Sequence, residues 1–468
     1  MPDARTWQVV AGSAAVGLTI SFAAVAVAGP WESGQRTAER AAAASRAHLA
    51  DGRPAPGPRT TPPVEAAAPP AARVLTAPAT DPGTLPAQQA LAARLAPLLR
   101  DPALGPLRTG AVIDAATGRL LYGSGAATPS VPASTIKIAT AAAALSVLGP
   151  DHRISTAVLA AGPHSTVLVG GGDPTLTAAA LRTLADDTAR ALAARGTTAT
   201  SLGYDLSLYS GPVLHPIGRN ENIAPVTPLM LNEGRLGKSD RGPADRSTDP
   251  AGDTATAFAK LLKARGIKVT GTPARTPAAA SGTRLAAARS APLSALVERM
   301  LTNSDNDIAE ALARQTAIAA HLPASFDGAQ QAVTAALARL GLPSGGAKFT
   351  DGSGLNRADA LSAEQLARLL ALAASPQHPQ LRPILTGLPV AGFSGTLSDR
   401  FRGGPASGAG LIRAKTGTLT GVHAITGTVV TAGGRLLTFA FLTQGATSAT
   451  AAQTALDRLA SALAACGC

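Results

Sequence analysis

The sequence predicts an α+β fold, in which an antiparallel sheet flanked by helices is interrupted by a smaller inserted α+β domain. Leucines at helical spacing and two short strand patterns precede an Ala-rich helix that begins near residue 137. Between Ser134 and Ser304 lie 170 positions, far more than a loop needs. Strand patterns joined by short turns follow residue 414, which is typical of consecutive antiparallel strands.

The composition allows a large core and disfavours nucleic acid as a partner. The chain has 468 residues, of which 46% are hydrophobic and 3% aromatic, so it can form two or three domains with small aliphatic cores. A formal net charge of +12 predicts attraction to anionic surfaces. Because basic runs interleaved with aromatic residues are missing, we favour an anionic cell envelope. The charge is equally consistent with arginine that only solvates the surface.

The cysteines and histidines predict neither a disulfide framework nor a metal site. Cys466 and Cys468 are the only cysteines, and the one-residue gap disfavours an unstrained disulfide between them. They either pair between molecules or stay thiols. Seven scattered histidines form no His-Glu-x-x-His or comparable pair, so we expect no metal and no cofactor.

The N-terminal region predicts export followed by a tether. Residues 6–31 contain no charged side chain and are long enough to span a bilayer. Small residues at Ala26-Val27-Ala28 equally fit a cleavable signal peptide, so residues 1–31 are either a membrane anchor or a signal cleaved near Ala28. Residues 32–87 are rich in Ala and Pro and predict an extended tether. An extracytoplasmic location in the cell envelope follows.

The folded part is predicted in three segments. Residues 88–155 begin the main domain with a helix through Leu91, Leu95 and Leu98 and strands at 109–114 and 119–122. Residues 156–288 form the insert, with strand patterns at 165–169, 226–231 and 268–271 and helices at 179–195 and 255–265. Residues 289–468 complete the main domain with helices at 293–300, 308–319, 328–340 and 362–374, strands at 424–431 and 435–444, and a closing helix.

A serine and a lysine at the start of the Ala-rich helix suggest nucleophilic catalysis. Ser134 precedes Lys137 by three residues, which places the hydroxyl and the amine on one helical face. Serine needs a base, and an amine can serve only if burial or a nearby cation lowers its pKa. A helix N-terminus also offers free N–H groups to an oxyanion. Alone, Ser-x-x-Lys is common enough by chance to be structural.

Two later motifs make a catalytic interpretation stronger. Ser304-Asp305-Asn306 precedes a helical run, and Lys415-Thr416-Gly417-Thr418 begins a strand pattern. The order Ser-x-x-Lys, Ser-Asp-Asn, Lys-Thr-Gly is the signature set of penicillin-binding proteins and serine β-lactamases. Each residue could instead cap a helix or be solvated, but the joint pattern favours catalysis.

Further motifs make the chain resemble peptidase family S13, the class C low-molecular-mass penicillin-binding proteins, which are D-alanyl-D-alanine carboxypeptidases. The additional motifs are Gly170-Gly171-Gly172-Asp173-Pro174-Thr175-Leu176, Tyr209-Ser210-Gly211-Pro212, Asp351-Gly352-Ser353-Gly354-Leu355 and Gly395-Thr396-Leu397. The resemblance covers residue 88 to the C-terminus and implies a serine penicillin-recognising, β-lactamase/transpeptidase-like domain. Family members usually carry two extra domains between the first two motifs, whereas this insert looks short.

The resemblance implies hydrolysis of the terminal D-alanine of peptidoglycan stem peptides, with β-lactams as covalent inhibitors. Ser134 would attack the penultimate D-alanine carbonyl, and Lys137 would take its proton. Ser304 would relay a proton to the leaving amine, while Asn306 would hold Lys137 and the substrate backbone. Lys415, Thr416, Gly417 and Thr418 would bind the substrate, and the N–H groups of Ser134 and Thr418 would form an oxyanion hole.

Three alternatives compete with a carboxypeptidase. A D,D-endopeptidase that cuts peptidoglycan cross-links would use the same residues. A class A β-lactamase would have a shorter gap between the first motifs and a Glu-x-x-Leu-Asn stretch, which does not follow Ser304. A non-catalytic β-lactam or muropeptide sensor would not need the full set of motif residues. For Asp173 and Asp351 we expect structural roles.

Overall fold

Two five-stranded sheets with helices on their faces make up the described residues, 85–278, 282–342, 345–402 and 408–467, of this computed structural model. The strands are β1 (Leu107–Asp114), β2 (Leu120–Ser124), β3 (Ser155–Gly162), β4 (Ser165–Val169), β5 (Ala199–Asp205), β6 (Lys268–Arg275), β7 (Thr283–Arg289), β8 (Ile412–Leu419), β9 (Val422–Val430) and β10 (Leu436–Gln444). The α-helices are α1 (Gln88–Leu99), α2 (Lys137–Leu148), α3 (Ala178–Ala193), α4 (Pro250–Lys263), α5 (Leu293–Asn303), α6 (Asn306–Ala319), α7 (Phe326–Arg339), α8 (Ala363–Ala374), α9 (Arg382–Gly387) and α10 (Ala449–Ala464).

The first sheet is antiparallel throughout and lies between two layers of helices. Its strand order is β2-β1-β10-β9-β8. Successive side chains of a strand point to opposite faces, so Val112 packs with α1 and α10 whereas Ala111 and Ile113 pack with α2 and α8. The predicted α+β fold with an antiparallel sheet flanked by helices is therefore confirmed.

Helix α2 is buried at the centre of the molecule, and its alanines make this possible. Nine of its 12 residues are buried, including Lys137 at its first position. Short alanine side chains let α6 and α7 pack directly against α2. The helix is preceded by a 3-10 turn, Ala133–Ile136, which carries Ser134. Close packing on several sides fixes this turn relative to the rest of the core.

The second sheet is built from the chain between α2 and α5. Its order is β6-β5-β4-β3-β7, with β4, β5 and β6 parallel and β3 antiparallel to both of its neighbours. Helices α3 and α4 bury leucines and Phe258 against it. Contacts join both sheets into one unit from residue 85 onwards. The predicted domain boundaries at residues 155 and 288 stay a prediction.

Some elements of the second sheet differ from the sequence prediction. The predicted strand at residues 226–231 is irregular, with one isolated bridge between Leu229 and Asp173. Pro225 and Pro228 explain this result, because proline has no N–H to donate to a sheet. Strands β3, β5 and β7 were not predicted. In β7 only Ala286 is buried, so the strand has no alternating apolar pattern.

The structure describes the C-terminal end of the chain as far as residue 467, whereas at the N-terminal end the description begins at residue 85. The predicted anchor and tether, residues 1–31 and 32–87, lie outside the described residues except for 85–87. Among the residues that are described, none of the helices is both long and apolar enough to cross a bilayer. Cys466 is buried and disulfide-bonded, which excludes the free thiol that was one of the two alternatives for it, while Cys468 lies outside the described part. The regular helix ends before Cys466, so helical geometry does not constrain its sulfur.

Candidate active site

The turn that carries Ser134 is held by close backbone contacts. Ala133 has a φ of 46°, a left-handed conformation that is unfavourable for a residue with a side chain. A side chain at Gly354 would place its Cβ 2.1 Å from the Ala133 carbonyl oxygen, and one at Gly417 would come within 2.7 Å of the Pro132 oxygen. Both glycines therefore let neighbouring backbone approach the turn and fix the position of Ser134.

Lys137 connects three separate parts of the chain. Its Nζ lies 3.0 Å from Ser134 Oγ, 2.7 Å from Asn306 Oδ1 and 2.6 Å from the Ser353 carbonyl oxygen. The lysine is fully buried. All three hydrogens of an ammonium group thus have an acceptor, and loss of one proton would leave the amine a lone pair within reach of Ser134.

Burial changes the acidity of Lys137 in the direction that base catalysis requires. It lowers the pKa of Lys137 from an ordinary 10.5 to about 8, although four nearby carboxyl groups act in the opposite direction to the extent that they are ionised. These groups are Asp351, Asp305, Glu310 and Asp359. With this pKa, roughly one tenth of the amine is neutral at pH 7.

Ser304 and Asn306 lie where one helix ends and the next begins. Ser304 follows α5 in a left-handed conformation, with φ 58° and ψ 39°. Asp305 then caps α6 by accepting a hydrogen bond from the Ile308 N–H, and Asn306 is the first residue of that helix. The Asn306 Nδ2 donates to the Asn222 carbonyl oxygen at 2.9 Å. The Ser-Asp-Asn segment is thereby joined to the chain that forms the second sheet.

Lys415 lies in edge strand β8 and holds the second serine. Its Nζ donates to Ser304 Oγ at 2.9 Å and to the Thr416 carbonyl oxygen at 2.7 Å. The lysine is fully buried. Burial, followed by the positive charge of Lys137, holds the pKa of Lys415 well below its ordinary value of 10.5. An anion that entered the site would favour the charged form of this amine.

The three motifs meet in one cleft of about 330 Å³. Ser134, Ser304, Asn306, Thr416 and Thr418 line it. Lys137 and Lys415 lie beneath these residues, and Gly417 lies in β8 against the Pro132 carbonyl oxygen. The cleft thus combines two serines, each hydrogen-bonded to a lysine amine, with the threonine hydroxyls of β8. Such a set can carry out acyl transfer through a serine ester.

Several cleft residues were not predicted from the sequence. Asn222, Arg235 and Arg246 come from the chain between β5 and α4 and also line the cleft. Arg246 forms an ion pair with Asp307 of α6 at 2.7 Å. No local motif marks these residues, because they meet the Ser-x-x-Lys and Ser-Asp-Asn motifs only through the tertiary fold. The contact of Lys137 with the Ser353 carbonyl was not predicted either, although the motif Asp351-Gly352-Ser353-Gly354-Leu355, which contains this residue, was visible in the sequence.

Two clusters of buried groups bring potential metal-ligating atoms together. They are His215, Glu310 and Asp351, and Glu233, Asp305 and Asp307. Guanidinium groups already lie against both clusters, with Arg314 beside Glu310, Arg235 and Arg299 beside Glu233, and Arg246 beside Asp307. Positive charge at these distances opposes a bound cation, so the carboxylates serve the protein's own donors.

Comparisons with known proteins agree on one family. The sequence profile described as D-Ala-D-Ala carboxypeptidase 3 (S13) family matches residues 91–244 and 238–466. The chain is 40% identical over 380 residues to "Carboxypeptidase DacB" of Mycolicibacterium smegmatis, a match that covers 77% of this chain and 81% of that protein. It is 30% identical over 402 residues to a "D-alanyl-D-alanine carboxypeptidase" of Actinomadura sp., covering 68% and 74%.

A solved structure has a similar fold. Penicillin binding protein 4 of Haemophilus influenzae aligns with a TM-score of 0.67 at 22% identity, covering 80% of this chain and 98% of that one. At this level of identity the likeness concerns the fold alone. It agrees with the penicillin-recognising fold that the motif order predicted.

Replacing Lys137 with methionine should raise the pKa of Lys415. The substitution removes the neighbouring positive charge that helps to lower this pKa, so we expect the pKa of Lys415 to rise. An NMR titration of the lysine side-chain resonances measures the change. The matched variant Lys260→Met removes an exposed lysine of α4 and should leave the pKa of Lys415 unchanged. An unchanged value in Lys137→Met would contradict the coupling of the two amines.

Proposed function

The chain belongs to the D-Ala-D-Ala carboxypeptidase 3 (S13) family, and we propose that Ser134 is the nucleophile of its serine-type D-Ala-D-Ala carboxypeptidase activity. The observation that carries the assignment is the 3.0 Å contact between Lys137 Nζ and Ser134 Oγ in a cleft that also contains Ser304. The substrate class is the peptidoglycan stem peptide that ends in D-Ala-D-Ala. Described residues form the whole site. We place the activity of the protein outside the cytoplasm, where peptidoglycan is found.

Acylation follows from the positions of Ser134 and Lys137. The neutral Lys137 amine accepts the Ser134 proton while Oγ attacks the carbonyl carbon of the penultimate D-alanine. The backbone N–H groups of Ser134 and Thr418 stabilise the tetrahedral oxyanion. Collapse of this intermediate breaks the peptide bond and leaves an ester on Ser134.

Departure of the terminal D-alanine needs a proton on its nitrogen. Ser304 Oγ, which receives a hydrogen bond from Lys415 and faces the same cleft as Ser134, relays to this nitrogen the proton that Lys137 took from Ser134, and Lys137 thereby becomes neutral again. Asn306 keeps Lys137 in place through its Oδ1, and because it lines the cleft we propose that it also contacts the substrate backbone. A water molecule then attacks the ester, and Lys137 activates this water as it activated the serine.

The terminal carboxylate of the substrate is bound at β8. The Lys415 ammonium supplies the positive charge, and the hydroxyls of Thr416 and Thr418 offer hydrogen bonds. Thr416 Oγ1 already donates to Thr396 Oγ1 at 2.9 Å, which orients it in the cleft. Gly417 brings the β8 backbone next to the Ser134 turn. A β-lactam, whose carboxylate and strained amide resemble this peptide end, would acylate the same serine.

Replacing Ser134 with alanine should abolish both acylation and hydrolysis. Residues 85–468 are incubated with a fluorescent penicillin and with diacetyl-Lys-D-Ala-D-Ala, and covalent labelling and D-alanine release are recorded. We expect both rates to fall below about one thousandth of the wild-type rates. The matched variant Ser146→Ala, which removes a hydroxyl from the same helix that bonds only to the Ala143 carbonyl, should remain active.

The same assay separates the competing functions. Stable labelling together with D-alanine release supports the carboxypeptidase. Cleavage of a cross-linked dimer without D-alanine release would favour the endopeptidase, and rapid loss of label without release would favour a β-lactamase. Stable label without cleavage of either peptide would favour a sensor. Persistent turnover in Ser134→Ala would contradict the nucleophile assignment.

The rate of peptide hydrolysis should rise with pH through the pKa of Lys137. Only the neutral amine accepts the serine proton, and the neutral fraction grows as pH increases toward about 8. We expect kcat/KM to rise by up to about tenfold per pH unit below that value and then level off. D-alanine release between pH 6 and pH 9 measures this. A pH-independent rate, in protein whose thermal unfolding shows it folded throughout, would contradict Lys137 as the base.

Residues 6–31 are proposed to direct export and either remain as a membrane anchor or be removed after Ala28. The support is their uncharged, apolar sequence and the Ala-Val-Ala motif. Fractionation of cells that express the full chain, with sequencing of the protein's N-terminus, decides between the two. Deletion of residues 6–31 should leave the protein in the cytoplasm. Intact full-length chain in the cytoplasmic fraction would contradict export.

A further inference from the structure

A buried histidine reaches from the chain between β5 and α4 to the core beneath the cleft. His215 is 2% exposed, and its Nε2 lies 2.8 Å from Asp351 Oδ2. The edge of its ring also packs on Phe326, with the two ring centroids 5.5 Å apart. The cleft residues described above do not include His215 or Asp351. A buried pair of this kind, away from the reacting atoms, requires a structural or electrostatic reason.

Asp351 and Glu310 hold the turn at residues 351–356 by its backbone. Asp351 Oδ1 accepts the N–H groups of Ser353 and Gly354 at 3.0 and 2.5 Å, and Oδ2 accepts that of Asn356 at 2.7 Å. Glu310 Oε1 accepts the N–H groups of Gly352 and Ser353 at 3.1 and 3.0 Å. With this many donors directed at two buried carboxyl groups, the turn has little freedom to move.

The held turn contacts the first residues of α2 at several points. The Ser353 carbonyl oxygen accepts a hydrogen bond from Lys137 Nζ at 2.6 Å, and the Gly352 carbonyl oxygen accepts one from Thr140 Oγ1 at 2.7 Å. Gly354 lies against the Ala133 carbonyl oxygen. The direction of the Lys137 amine toward Ser134 therefore depends on where this turn places the Ser353 carbonyl.

We propose that Asp351, oriented by His215 and supported by Glu310, is a positioning residue that aims the Lys137 amine at Ser134 and keeps a negative charge beside it. The inference rests on the proposed function, because Lys137 is the base only there. It assigns a role to His215, which belongs to the predicted insert and thereby links that segment to catalysis. Neither residue touches the substrate or the reacting atoms.

The charges around Lys137 explain why Asp351 is the important carboxylate. Lys137 is faced by Asp351, Asp305, Glu310 and Asp359, and its positive charge in turn acts on Lys415. Burial raises the pKa of Asp359 to about 9, with the charge of Asp351 adding to the rise. Burial, again with the Asp351 charge, raises the pKa of Glu310, although Arg314 and His215 oppose the rise.

Asp351 behaves in the opposite way to its neighbours. Burial alone would raise its pKa, but the hydrogen bond and charge of His215, with further bonds from Gly354 and Asp359, lower it overall. Asp351 therefore keeps its charge while Asp359 holds a proton at neutral pH. Among the carboxyl groups whose charge raises the pKa of Lys137 and so opposes the effect of burial, Asp351 has the largest effect.

The test compares the pH dependence of hydrolysis in wild type, Asp351→Asn and His215→Phe. With a neutral amide at position 351, burial lowers the pKa of Lys137 further. We expect the rising limb of kcat/KM to move to lower pH by on the order of one unit. The plateau should fall at least about tenfold, because an amide group cannot accept all the N–H groups that the carboxylate holds.

Variants at His215 test the same idea without changing the carboxylate. His215→Phe keeps an aromatic ring beside Phe326 but removes the donor, so the pKa of Asp351 should rise and the limb should again move to lower pH. His215→Gln keeps a donor near the Nε2 position and should restore the wild-type limb in part. If Asp351→Asn does not fold, the pair of histidine variants still decides the question.

Asp114→Asn is the matched control for burial. Asp114 is a fully buried carboxyl group that pairs with Arg435 at 2.6 Å, and it is not among the groups that face Lys137. This variant should lose thermal stability, yet its rising limb should stay where the wild-type limb lies. Thermal unfolding of every variant shows which proteins are folded at the assay temperature.

The outcomes separate this inference from the proposed function. If wild type shows neither D-alanine release nor a rising limb, the proposed function fails. If wild type has the limb and folded Asp351→Asn and His215→Phe keep it unshifted, the positioning role is overturned, even if their plateaus fall. A shift in both variants, partial restoration in His215→Gln and no shift in Asp114→Asn support it.

Discussion

The hydrogen bonds of the buried Lys137 amine are the interaction on which the site depends. They join Ser134 at the start of α2, Asn306 at the start of α6 and the Ser353 carbonyl in a separate turn. Asn306 and Ser353 are 169 and 216 residues away in sequence. A buried amine is costly unless its hydrogens have acceptors, so the fold must place all three groups together. Folding of the core therefore also assembles the site.

Two buried amines in one site have different electrostatic surroundings, which suits the roles proposed for them, with Lys137 as the base and Lys415 as the cation. Lys137 lies among carboxyl groups that partly offset its burial, whereas the charge of Lys137 adds to the burial of Lys415. Each amine donates a hydrogen bond to a different serine, Lys137 to Ser134 and Lys415 to Ser304. An incoming carboxylate would compensate the charge on Lys415, which couples substrate binding to the protonation of the site.

The chain between α2 and α5 contributes more than a second sheet. The Asn222 carbonyl oxygen accepts a bond from Asn306, Arg246 pairs with Asp307, and His215 pairs with Asp351. All three contacts end on residues that support the serine and lysine motifs. A segment that supplies buried partners in this way helps to shape the cleft. Its removal would leave several carboxyl and amide groups without partners.

The sequence alone determined the α+β fold class, the family and the identity of the motif residues, because catalysis requires particular residue types at short, recognisable spacings. It also located α2, since an Ala-rich run after Ser134 allows few other structures. It missed β3, β5 and β7, whose patterns are weak, and misassigned residues 226–231, where Pro225 and Pro228 prevent a strand. Only the tertiary structure decided which carbonyl holds Lys137 and that His215 reaches Asp351. Such pairs are set by packing between distant segments, which no local spacing encodes.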